Sequence, residues 1–164
     1  MRRFLAFSFL CMSTIACSSK QEEIERENIA IIEKYIQAVQ SKDTETMSEL
    51  LADDYIGYGP SYFDSTNKEQ AIASWKDVAE NLYDKIEYTR TVNIAEKVTE
   101  GPNQGDFVSD WATLKITYMD GRGPVFLTIN AVYRLEDGKI NLSRSFYNEA
   151  DVMRQLGYEC YAPE

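Results

Sequence analysis

The chain has 164 residues, 44% of them apolar and 27% charged, which suits one globular domain and leaves too little for two. Histidine is absent, and this removes Ser-His-Asp and Cys-His nucleophilic systems, histidine-ligated zinc and the commonest general base at neutral pH. A net charge of −10 argues against a nucleic-acid groove or a basic membrane-binding surface.

Arg2 and Arg3 form a short positive head before the apolar run Phe4 to Met12. That run is well short of the ~20 residues a permanent transmembrane helix requires, so the pattern is that of a secretory signal. It ends Thr14-Ile15-Ala16-Cys17, a small residue directly before a cysteine. This segment resembles the lipobox of bacterial lipoproteins, although Thr14 stands where leucine is most frequent. The resemblance implies cleavage after residue 16 and acylation of Cys17, and so a membrane attachment through lipid. Loss of Arg2 and Arg3 takes 17 Lys+Arg to 15 against 27 Asp+Glu, so the mature chain would carry a net charge of −12. Ser18 to Glu23 reads as a polar tether, residues 17–23 in all. Its lysine and acidic pair loosely resemble the surface-export signal of Bacteroidetes lipoproteins, which implies an outer-membrane lipoprotein, periplasmic or surface-facing. Cys160, in the tail 159–164, would then be an unpaired thiol or an intermolecular link, and the mature domain would hold no internal disulfide.

From Ile24 the apolar residues Ile29, Ile32, Tyr35, Ile36 and Val39 recur at helical spacing, predicting an amphipathic helix of about four or five turns. Asp43 is a fair N-cap for a short second helix carrying Met47, Leu50 and Leu51. A strand at Tyr55 to Tyr58 runs into a turn, and Thr66 or Asn67 can cap a third helix with Ile72, Trp75, Ala79 and Leu82 on one side.

After Asp84 the period becomes two. Strands are predicted over 85–98, 107–119, 125–135 and 140–146, with hairpin signals at Asp120-Gly121-Arg122-Gly123 and Glu136-Asp137-Gly138. Glu149 to Leu156 closes as a helix ending at Gly157. Three helices followed by meandering antiparallel strands make an α+β domain over residues 24–158, with the helices on one sheet face.

The segments SKDTETMSELLADDYIGYGP, NKEQAIASWKDV, AVYRLEDGKI and RSFYNEADVMRQLG stand in the order and spacing of the nuclear transport factor 2-like superfamily. They look most similar to its polyketide-cyclase (SnoaL-like) branch, over roughly residues 25–158. The resemblance implies three N-terminal helices packed in the concavity of a strongly curved antiparallel sheet, a cone with an apolar pocket and a short C-terminal helix. Its members include cyclases, isomerases, dehydratases and epoxide hydrolases beside accessory domains without chemistry, so fold alone does not fix function. The family's habit also implies that the sheet could serve as a homodimer surface.

Strand parity names the candidate site, because residues two apart share a face. Asp110 lies in phase with Val108 and Ala112, Arg90 with Tyr88 and Val92, and Arg144 with Leu142 and Phe146, followed by Asn148. Four polar side chains are thus expected among buried neighbours. Asp110 could be a general base tuned by an apolar pocket, or the partner of Arg90 or Arg144 in a structural ion pair. Either arginine could clamp a carboxylate or enolate, or snorkel to solvent. Asn148 stands where the cyclase branch often has an aspartate, and an amide can orient a ligand but cannot shuttle a proton.

Tyr55, Tyr58, Tyr62, Phe63, Trp75, Tyr88 and Tyr147 are aromatic wall candidates, with Tyr58 and Trp75 preferred as ligand-binding residues. Asp53-Asp54 could hold calcium but reads better as a helix-end and turn pair, and no metal site or cofactor is expected. The expected function is that of a lipid-anchored pocket domain binding a small apolar or weakly anionic ligand, or acting as an accessory module. The alternative is a cyclase- or isomerase-type enzyme with Asp110 as base.

Overall fold

The computed structural model describes the backbone of residues 4–159 and 161, and side chains from residue 20 onward. The expected lipid site Cys17 and the tail residue Cys160 therefore lie outside the described side chains.

Helix α1 spans Phe4–Ser41 and α2 spans Thr44–Leu50. The first is longer than the helix expected from Ile24. No glycine or proline interrupts residues 17–23, and Lys20 to Glu27 are mostly good helix formers, so the helix continues through the stretch read as a tether. Its buried stripe is Asn28, Ile32, Tyr35, Ile36 and Val39, one face at helical spacing. Asp43 caps α2 as expected, accepting from the Thr46 amide at 3.0 Å. Among the described residues no helix is long and apolar enough to cross a membrane.

Strand β1 (Leu51–Tyr58) and the short β2 (Ser65–Asn67) lead into α3 (Lys68–Asp77). Asn67 and Gln70 form a reciprocal capping box at the start of α3, and a single π-helical turn at Val78–Leu82 follows it. Strands β3 (Tyr83–Val98), β4 (Gly105–Tyr118), β5 (Val125–Glu136) and β6 (Lys139–Tyr147) then run as a meander, and α4 (Glu149–Gln155) ends the fold. The β5–β6 hairpin closes through Asp137 and Gly138, both at positive φ. Asp-Gly is a pair suited to that two-residue turn.

The six strands lie in the order β2-β1-β6-β5-β4-β3, curled but unclosed. All neighbours are antiparallel except β1 and β6, which run parallel. Helix α1 lies across β3 and β4, and α3 packs against β1 and α2. The Gln40 side chain accepts from the Tyr88 amide at 2.9 Å, and Gln21 reaches Asp106 at the start of β4. The direction of α1 thus follows that of β4, with Gln21, midway along the helix, at the end of the sheet where β4 begins.

Two bulges decide which side chains enter the cone. In the β3–β4 ladder Tyr88 faces Leu114 but Arg90 faces Thr113, so Thr89 is an extra residue. In the β5–β6 ladder Leu142 faces Arg134 while Ile140 faces Leu135, so Asn141 is extra. Each extra residue reverses the alternation beyond it. After Thr89 the inward positions are odd, and Arg90, Val92 and Ile94 point outward and are exposed. After Asn141 they are again odd, and Ser143, Ser145 and Tyr147 face in where Leu142, Arg144 and Phe146 were expected.

Candidate binding cavity

The mouth half of the cone encloses a cavity of about 600 Å³ between the sheet, α3 and α4. That size lies within the range of small-molecule sites. Its aliphatic wall comes from Val39, Ile86, Leu114, Ile116, Leu127 and Ile129. Nine of the chain's eleven tyrosines line the rest. Tyr35 descends from α1, Tyr55 and Tyr58 come from β1, and Tyr83 and Tyr88 from β3. Tyr118, Tyr133 and Tyr147 follow from β4, β5 and β6, and Tyr158 closes the C-terminal side.

These hydroxyls are ordered by neighbours. The Tyr55 hydroxyl and Ser143 Oγ share a hydrogen bond of 2.6 Å. Gly57 makes room for that ring, since a Cβ there would fall 2.6 Å from the Tyr55 hydroxyl. Trp75 reaches the Tyr35 oxygen from α3, and Tyr35 and Tyr133 meet edge to face at 5.9 Å. Burial pushes the Tyr35, Tyr83, Tyr88 and Tyr133 phenols far above the usual range, so all four are neutral donors. Arg122 lies at the mouth, bonded to Asp120 at 2.7 Å and to the Tyr158 hydroxyl at 2.8 Å.

Asp110 is 0% exposed, as its parity implied, yet it is not part of the cavity wall. It lies deeper, beneath α1, one layer behind Tyr88 and Tyr133, whose phenols feel its charge. Neither carboxyl oxygen meets a hydrogen-bond partner, and burial pushes its pKa up to about 6. The ion pair weighed from sequence does not form, because both arginines stand on the opposite face of the sheet. Across the ladder from Asp110 is Asn93, whose buried Oδ1 also lacks a partner. Sequence parity missed Asn93 because the Thr89 bulge lies between it and the residues that set the phase.

The remaining candidates divide clearly. Tyr55, Tyr58, Trp75, Tyr88 and Tyr147 line the cavity. Tyr62 and Phe63 do not, standing 92% and 93% exposed on the loop after β1. Arg90 is exposed on the outer face, opposite Thr113 in the ladder. Arg144 is also outside and lies over the Tyr58 ring at 4.5 Å. Asn148 is the N-cap of α4, accepting from the Asp151 amide at 3.1 Å, which occupies its side chain in holding the helix. Asp53 pairs with Lys68 at 3.0 Å, and Asp54 is exposed beside it on β1 rather than in a helix end or turn. Tyr35, Tyr118 and Tyr133 were legible as apolar-phase residues but not as cavity wall, while Tyr83 precedes the strand predicted from residue 85 and is turned inward by the register shift at Asp84.

The sequence matches no curated protein. Among solved structures, a Xanthomonas campestris protein provisionally named a polyketide cyclase superposes with a TM-score of 0.67 at 14% identity, covering 80% of this chain and 98% of that one. A provisionally named isomerase from Bacillus subtilis gives 0.64 at 14% identity over 80% and 94%. An LEH-like epoxide hydrolase of M. tuberculosis gives 0.61 at 20% identity over 80% and 90%. At these identities the likeness is one of fold. The family model of the SnoaL-like domain matches residues 32–142, from the last turns of α1 into β6, and the chain belongs to that family.

Proposed function

We propose that this protein binds a small, mainly apolar ligand in the tyrosine-walled cavity and performs no acid–base chemistry on it. The observation that carries this is a cavity of about 600 Å³ whose polar atoms are mostly neutral hydroxyls, with the buried carboxyl set behind its floor. Walls of that kind supply apolar contact with a few orienting hydrogen bonds. Arg90 and Arg144, which suggested an anionic ligand, lie outside, so an anion has no free partner on the wall. Titration with N-phenyl-1-naphthylamine, read by probe emission and Trp75 quenching, should saturate, and Ser145→Trp should abolish binding in a folded protein. Absence of saturable binding would remove the proposal.

A second reading makes Asp110 the base of an isomerase-like reaction, favoured by its raised pKa. A base must reach its proton within about 3 Å, and Asp110 stands one layer short of the cavity. Deuterium exchange into an enolisable ketone, lost in Asp110→Asn, would establish the enzyme.

We also infer that the domain is tethered to the outer membrane through Cys17, on the pattern of residues 2–17. The cavity lies toward the end of β4 away from Gln21, so a lipid on Cys17 leaves its mouth facing away from the bilayer. Cys17→Ser should move the protein from membrane to soluble fractions and lose palmitate label. Outside the cone, Val92, Trp111, Asn130 and Phe146 form one row across four strands, with three of the four large and apolar and exposed. This face is proposed as a homodimer surface, to be tested by sedimentation of Trp111→Glu.

A further inference from the structure

We propose that the cavity's ligand is an organic cation, a substituted amine or quaternary ammonium group held against tyrosine faces. This rests on the cavity being a binding site and adds the charge and chemical class of its occupant. Three features converge on it.

The wall has an uneven charge. It carries Asp64 and Glu149, and Arg122 is its one cation among the described residues. Arg122 is already neutralised by Asp120 at 2.7 Å, so the two wall acids are left without a wall cation to answer them. Both are exposed side chains on the cavity lining, and Tyr147, raised chiefly by burial, also feels their charges. Asp110 adds a further carboxyl beneath the floor, and the net charge of −10 gives a field of the same sign.

The tyrosines already serve as cation platforms. The Arg122 guanidinium lies 5.5 Å from the Tyr118 ring centroid and 5.8 Å from that of Tyr158. Arg144 lies 4.5 Å over Tyr58 on the outer side. Two rings at the mouth, and Tyr58 on the outer side, therefore hold cations of the chain itself, in the geometry by which aromatic faces attract ammonium groups.

Finally, the interior suits a charge that makes few hydrogen bonds. A quaternary ammonium needs no acceptor and loses less on leaving water than a compact ion does. Trp75 and the tyrosine faces can surround it, while Asp64 and Glu149 compensate its charge from the rim.

The test uses three probes of similar size: benzyltrimethylammonium, its uncharged isostere neopentylbenzene, and the anion 4-phenylbutyrate. Binding is followed by Trp75 fluorescence. The ammonium should bind about tenfold tighter than the neutral isostere, and the carboxylate should not bind. The rim double variant Asp64→Asn/Glu149→Gln should weaken ammonium binding several-fold and leave neopentylbenzene unchanged. Equal or tighter binding of the neutral probe overturns the inference and leaves the cavity a binding site. Binding of none of the three overturns both.

Discussion

Strand β4 passes through two environments on one face. From Leu114 to Tyr118 it lines an open cavity, whereas from Val108 to Ala112 it is sealed under α1. In the open half most polar groups are answered, as Tyr55 is by Ser143 and Tyr158 by Arg122. In the sealed half Asp110 and Asn93 keep unanswered oxygens. The mouth half is built to be filled from outside, and the closed half is built for packing and tolerates one costly carboxyl.

The largest effect should come from opening the sealed half. Ile32 is fully buried on α1, and Ile32→Ala should cost about 2–5 kcal/mol because the void cannot drain into an existing space. Leu127 already borders the cavity, so Leu127→Ala should cost only about 1 kcal/mol, the transfer contribution without a new enclosed hole. Urea unfolding of the two variants measures the difference. Equal costs would mean that the two halves are packed alike.

Asp110 gives the next largest effect, and its sign follows from the raised pKa. The native state holds the proton up to about pH 6, while the unfolded chain releases it near the ordinary aspartate value of 3.8. Between these values the native state binds more protons, so the contribution of Asp110 to stability is fully present below pH 4 and is lost as pH rises through 6. A displacement of about two units corresponds to roughly 3 kcal/mol. Asp110→Asn should be flat over the same window, as urea midpoints at pH 4 to 8 would show. A wild-type curve that rises toward neutrality would mean that Asp110 has found a cation.

Most of the fold was legible in the sequence because its signals are local. Asp43 and Asn67 cap where short polar side chains should, Asp137-Gly138 turns a hairpin, and the α1 stripe falls at helical spacing. The inward position of Asp110 was legible too, since no register shift breaks β4 against β5. Arg90 and Arg144 were misplaced for one shared reason. Parity counts residues, and a bulge adds one without changing the composition around it. Thr89 sits between tyrosine and arginine neighbours that give no warning, and its hydroxyl bonds the Thr113 carbonyl at 3.0 Å only once the strands are paired. The cavity wall was partly hidden because a tyrosine in apolar phase reads the same whether it meets another side chain or an open space.

The smallest predicted effects belong to those two arginines, and they test the bulges directly. Arg90→Ala should change stability by no more than about 0.5 kcal/mol, as for an exposed strand residue without an ion pair. Arg144→Ala should cost about 0.5–1 kcal/mol through its lost contact with Tyr58. Neither should alter the affinity of the cavity for N-phenyl-1-naphthylamine by more than about twofold, because both guanidinium groups stand on the outer side of the sheet. A large loss of affinity in Arg90→Ala, with unfolding midpoints unchanged, would require the strand beyond Thr89 to be in the opposite register. It would bring Val92 and Ile94 inside with Arg90 and put Asn93 outside. The bulge, and not the count of charges in the sequence, therefore decides whether this cone presents guanidinium groups or phenols to what it holds.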